Sequence, residues 1–115
     1  TAGLPVVLRV DGAPRAVLST VDMTAFRVVQ EALTNALRHG DPSSDTVVML
    51  RWNDQELEIV VTNQTPLRAA STGRGHGLIG MSERVQLTGG TVAAGRADGR
   101  TFRVHARLPY AGGRG

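Results

Sequence analysis

The sequence predicts an α/β (α+β) two-layer sandwich, with a mixed, mostly antiparallel sheet covered on one face by helices. Three observations lead there. β-rich runs come in pairs joined by short turn signals, single helical segments separate the pairs, and the runs alternate apolar with polar residues. Alternation of that kind belongs to a sheet buried on one face and wet on the other.

The elements follow in order. "VVLRVDGAPRAVL" (6–18) reads as a strand, a turn at Asp11-Gly12 and a short second strand. A long helix comes next, with Thr20 or Asp22 to cap its start and Asp22 well placed in the first turn. Phe26, Val29, Leu33 and Ala36/Leu37 recur at helical spacing and predict its buried stripe. Gly40 followed by Pro42 ends it.

"DTVVMLRW" (45–52) and "ELEIVVT" (56–62) flank Asn53-Asp54-Gln55 and predict a hairpin. Leu57, Ile59 and Val61 alternate with Glu58, Val60 and Thr62 along its second strand. "NQTPLRAASTGRGHG" (63–77) has no periodicity, and a loop of this length inside a small domain points to function. "LIGMSERVQLTGG" (78–90) predicts a short helix stopped by Gly89-Gly90. "TVAAG" (91–95) and "TFRVHARLP" (101–109) predict a second hairpin, with His105 on the solvent side. The order predicted is therefore β-β-α-β-β-loop-α-β-β, with residues 1–110 as one domain and 111–115 as a mobile tail.

Composition narrows the function. The chain has 115 residues, 41% of them hydrophobic, enough for one domain with one core. Cysteine is absent, which excludes disulfides and thiolate metal sites and fits a reducing cytosol. No apolar run approaches the roughly 20 residues of a membrane helix, and "TAGLP" reads as a cut inside a longer protein. The net charge of +3 raises nucleic acid as a partner. The basic residues are all arginine and scattered, and aromatics for base stacking make up only 3% of the chain, so that partner is set aside.

Two segments carry chemistry. On the first helix, Glu31, Asn35 and Arg38/His39 stand at i, i+4 and i+7/8, on one face. By itself such a set reads as a solvated face. The small neighbours Ala32, Thr34 and Ala36 leave room for a ligand, however. A carboxylate and an amide one turn apart can hold a hydrated Mg²⁺ through oxygen, and basic groups beyond them can meet phosphate. In "GRGHGLIG" (73–80), four glycines lead into a helix whose free N–H groups suit an anion. Residues 75–80 also fit G-x-G-x-x-G, yet no buried parallel strand precedes them and Asp98 falls in a hairpin turn, so a dinucleotide fold is rejected. His39, His76 and His105 have no metal-ligand spacing.

Taken together, "FRVVQEALTNALRHG", "GRGHGLIGMSERV" and "GRTFRVHARLP" resemble the ATP-binding catalytic domain of bacterial sensor histidine kinases, the nitrate-sensor-like subfamily in particular. The resemblance runs from "GLPVVLRV" to "ARLP". It implies a Bergerat-type sandwich that binds ATP and Mg²⁺. Asn35 matches the family's metal-ligating asparagine, and Glu31 the acid that orders the metal's water or acts as a base. Arg38 and His39 stand where the family contacts phosphate. Gly73, Gly75, His76, Gly77 and Leu78 match the glycine box, and residues 64–75 the lid.

One departure concerns the base. The family's Asp-x-Gly-x-Gly reads here as Asn63, Thr65 and Leu67. An asparagine oxygen can still accept from an adenine amino group, more weakly than a carboxylate. Nothing resembles the helix bearing the phosphoacceptor histidine. The resemblance therefore implies a cytoplasmic domain that binds ATP, makes no membrane contact of its own, and needs a dimerisation and phosphoacceptor domain of the same protein. A response regulator with helix-turn-helix output is the expected downstream partner. The alternatives are an anti-sigma serine kinase of the same superfamily and a nucleotide-free interaction module.

Overall fold

The computed structural model describes residues 5–66 and 76–110, and of 76–79 the backbone alone. Among the described residues, five strands and two helices follow in the order β1 (Val6–Asp11), α1 (Ser19–His39), β2 (Thr46–Trp52), β3 (Glu56–Gln64), α2 (His76–Leu87), β4 (Thr91–Asp98) and β5 (Thr101–Pro109). The sheet order is β1-β2-β3-β5-β4, parallel between β1 and β2 and antiparallel elsewhere. The mixed, helix-covered sheet predicted above is the one observed.

The second strand expected after Gly12 does not form. Residues 13–18 run without regular structure from β1 to α1. Gly12 turns the chain with φ +86°, and a Cβ there would meet the carbonyl oxygen of Trp52, so the turn needs glycine. Val17 packs on the core without belonging to a strand. Arg15 lies 4.6 Å from the ring centre of Tyr110, which stacks on Trp52. These contacts tie the segment to the hairpin end of the sheet.

Helix α1 starts at Ser19, one residue before Thr20, and Leu18 caps it with no side-chain hydrogen bond. The first helical bond runs from the Asp22 N–H to the Leu18 carbonyl at 3.0 Å. Asp22 contributes its charge to the first turn, where the helix dipole favours it.

The buried face of α1 also differs from the predicted stripe. Val21, Thr24, Val28, Ala32 and Ala36 face the sheet, and of the predicted stripe Ala36 is the fully buried member. Phe26 and Leu37 are 63% and 64% exposed, while Val29 and Leu33 are half-buried at the core margin. Positions one residue apart differ by about 100° around a helix. The inward face is thus turned by roughly that angle from the predicted one.

The core joins α1 to Leu57, Ile59 and Val61 of β3, Val104, Ala106 and Leu108 of β5, and Met81 and Val85 of α2. β3 alternates strictly, as its sequence predicts. Asn53 closes the β2–β3 hairpin by accepting the N–H groups of Gln55 and Glu56, each at 2.9 Å. Gly89, with φ +82°, ends α2.

On the outer face, Glu58 meets Arg51, Arg107 and His105. His105 is thus a half-buried partner in a cross-strand ion cluster on the wet face. Burial raises the Glu58 pKa, but the His105 hydrogen bond and the charges of His105, Arg51 and Arg107 outweigh it and leave the carboxyl below its usual range.

Candidate nucleotide site

The predicted site residues divide by element. Glu31 and Asn35 lie half-buried on the flank of α1, next to the core stripe. Arg38 and His39 are exposed in its last turn. Among the described residues, none of these four side chains enters an ion pair. Glu31 and Asn35 offer a carboxylate and an amide oxygen on successive turns of one rigid element. That donor set suits Mg²⁺, which takes one or two protein oxygens and keeps several waters.

Asn63 is 5% exposed, near the end of β3, against the end of α1. Its Nδ2 donates to the Gln64 carbonyl at 3.1 Å. Gly40 closes α1 by donating its N–H to the Ala36 carbonyl at 2.7 Å. A Cβ on Gly40 would lie 2.9 Å from Asn63 Nδ2. The fold therefore brings Asn63 to the helix end that carries Asn35, Arg38 and His39.

His76, Gly77 and Leu78 form the first turn of α2, which packs against α1 and β4. The helix begins two residues earlier than its sequence suggests. Gly73, Gly75 and most of the proposed lid lie outside the described residues, as does the 111–115 tail.

Several residues around Asn63 were not legible in the sequence. Thr65, at the family's first glycine position, is buried. Its N–H and hydroxyl both donate to the Arg100 carbonyl, at 2.7 and 2.9 Å. The Arg100 side chain returns from Nε to the Thr65 carbonyl at 3.0 Å and from Nη2 to Asp41 Oδ2 at 3.3 Å. The Asp41 N–H donates to the Gln64 carbonyl at 2.8 Å.

Asp41 Oδ1 accepts from the Ser43 N–H and hydroxyl. Those two bonds hold the Asp41 carboxyl below its usual range, and Arg100 adds to this against the opposing effect of burial. Only the Asp-Pro-Ser-Ser run after Gly40 carried a local signal, that of an Asx turn.

Comparison with known proteins defines the class. Residues 20–112 match the family described as "Histidine kinase-, DNA gyrase B-, and HSP90-like ATPase". The chain belongs to that family, and within it is an ATP-binding catalytic domain of the histidine kinase type. It is 33% identical over 90 residues to the sensor histidine kinase YxjM of Bacillus subtilis, covering 77% of this chain and 21% of that protein. It is also 33% identical over 87 residues to the histidine-protein kinase/phosphatase UhpB of Salmonella typhimurium, covering 76% and 17%. The chain thus spans about a fifth of the length of these relatives.

Among solved structures, full-length ShkA in complex with AMPPNP superposes with a TM-score of 0.74 at 15% identity, over 95% of this chain and 26% of that one. The mycobacterial sensor histidine kinase MprB superposes at 0.68 with 23% identity, over 92% and 83%. At these identities the superpositions establish the shared fold. Among the described residues, no helix is long and apolar enough to cross a membrane.

Proposed function

We infer that residues 1–110 bind ATP·Mg²⁺ along the Glu31–Asn35 flank of α1 and supply its γ-phosphoryl to a histidine on another domain of a longer, nitrate-sensor-like kinase. In that step the bond between Pγ and the β,γ-bridging oxygen breaks, an N–P bond forms on the acceptor imidazole, and ADP leaves. The observation that carries the reading is the pairing of Glu31 and Asn35 on one half-buried flank, without ion-pair partners among the described residues, with Asn63 buried at the same helix end.

Asn35, with Glu31, would hold the metal, which supplies charge neutralisation at the phosphates when bound. Glu31 orders the metal's water or takes up a proton. Arg38 and His39 reach out from the last turn as phosphate contacts. His76, Gly77 and Leu78, in the first turn of α2, present backbone N–H groups where the helix dipole favours anions, and Gly73 and Gly75 belong to the same glycine-rich motif in the sequence. Asn63 accepts the adenine amino group. The domain works by positioning and charge compensation, as phosphoryl transfer generally requires. Its partners are the dimerisation and phosphoacceptor domain of the same protein and a cytoplasmic response regulator with helix-turn-helix output.

Titration calorimetry of the chain with ATP, with and without Mg²⁺, tests this reading. Saturable, Mg²⁺-strengthened binding is expected. Absence of binding at millimolar ATP overturns it and leaves a nucleotide-free interaction module.

A further inference from the structure

We propose that Arg100 is a positioning residue for base recognition: through Thr65 and Asp41 it fixes the Gln64 carbonyl that orients the Asn63 amide. The proposal rests on the reading that the base is held at Asn63.

The argument starts from the Gln64 carbonyl oxygen. It accepts two hydrogen bonds, from the Asp41 N–H at 2.8 Å and from Asn63 Nδ2 at 3.1 Å. An amide rotated by 180° would set Asn63 Oδ1 against that oxygen, acceptor against acceptor, in a buried place. Nδ2 is therefore committed, and Oδ1 is the atom left for a ligand. A carbonyl oxygen welcomes the 6-amino group of adenine and repels the 6-oxo group of hypoxanthine or guanine. A free asparagine amide would serve both by rotating; this one is held as an acceptor.

Arg100 holds the carbonyl from both sides in sequence. Its Nε binds the carbonyl of Thr65, the residue after Gln64. Its Nη2 binds the carboxylate of Asp41, whose N–H is the other donor to Gln64. Gln64 is further fixed by its own Nε2, which donates to Thr101 Oγ1 at 3.0 Å. The planar guanidinium serves two acceptors at once, which a lysine ammonium cannot do with the same geometry. Where the family has a glycine, this chain has Thr65 latched to the β4–β5 turn.

Truncating Arg100 leaves the two Thr65 bonds to the Arg100 backbone carbonyl in place, so the hairpin contact survives while the orienting bonds are lost. The test compares the affinities of the chain for ATP and inosine triphosphate, both with Mg²⁺, by calorimetry. The unsubstituted chain is expected to favour ATP by about tenfold, the discrimination that one oriented hydrogen bond provides. Asn63→Ala should bring that ratio close to one. Arg100→Ala should lower it by about threefold or more, and Arg100→Lys should fall between.

If Asn63→Ala abolishes the ratio but Arg100→Ala leaves it unchanged, or lowers both affinities in parallel, Arg100 is merely structural and the proposal falls while the base site stands. If Asn63→Ala leaves the ratio unchanged, or the unsubstituted chain shows no preference, the base is not read at Asn63 and both fall. Should Arg100→Ala not fold, Arg100→Lys decides, and a ratio equal to that of the unsubstituted chain overturns the proposal.

Discussion

Gly40 and Asn63 meet where α1 ends and β3 ends: a Cβ on Gly40 would lie 2.9 Å from Asn63 Nδ2 and 2.5 Å from the Ala36 carbonyl oxygen. The helix cap and the strand end approach this closely only because residue 40 has no side chain. Gly40→Ala should therefore cost about 1–3 kcal/mol of stability through overpacking. It should also weaken ATP binding by displacing the Asn63 amide. Urea denaturation and calorimetry on the same variant check both effects, and a variant of unchanged stability would contradict the close approach.

Asn35 stands one turn beyond Glu31 on the same flank. If it ligates the metal, Asn35→Ala should remove the Mg²⁺ dependence of ATP affinity, by about tenfold or more, and leave adenosine affinity nearly intact. Calorimetry with adenosine and with ATP, each with Mg²⁺ and with a chelator, separates the two. Parallel losses for both ligands would make Asn35 a structural residue.

Glu58 makes stability depend on pH. Its pKa is lowered in the folded state, so its contribution is fully present above the unfolded carboxylate pKa and is lost as pH falls through the folded value. Glu58→Gln should lower stability by about 1 kcal/mol at pH 7. The difference should shrink as pH falls from 7 through the lowered folded value. Urea midpoints of both proteins across that range test the sign, and a difference that grows on acidification would reverse it.

The face of α1 that points inward sets a fourth expectation. Phe26 is mostly exposed, whereas Val28 is wholly buried against the sheet. Val28→Ala should cost about 2–3 kcal/mol. Phe26→Ala should stay within about 0.5 kcal/mol, although it deletes the larger side chain. Equal losses in thermal or urea unfolding would return Phe26 to the core.

Much of the fold was legible in local signals. β3 alternates over its whole length and its burial follows that alternation residue by residue. Asn53 and Gly89 closed their turns as their chemistry suggests. The helix–strand order placed most elements within a few residues. Glu31 and Asn35 were singled out by residue type and spacing, and Asn63 only by the family resemblance. The segment after Gly12 was misread because Val17 and its neighbours have strand-like composition but no strand to pair with. β1 instead pairs with β2 across α1, a choice local sequence does not record.

What the sequence determined by itself was whatever depends on neighbours within a few positions: periodicity, turn residues, helix ends and the two site-bearing segments. The tertiary structure alone decided which face of α1 met the sheet. That helix carries apolar residues on more than one side, and periodicity does not say which side finds a partner. The tertiary structure also decided the latch of Arg100 on Thr65 and Asp41, across separations of 35 and 59 residues. Hydrogen bonds at such distances in the chain form only once the sheet has brought the strand ends together, because the loop-closure entropy is met by the core and not by the bonds themselves.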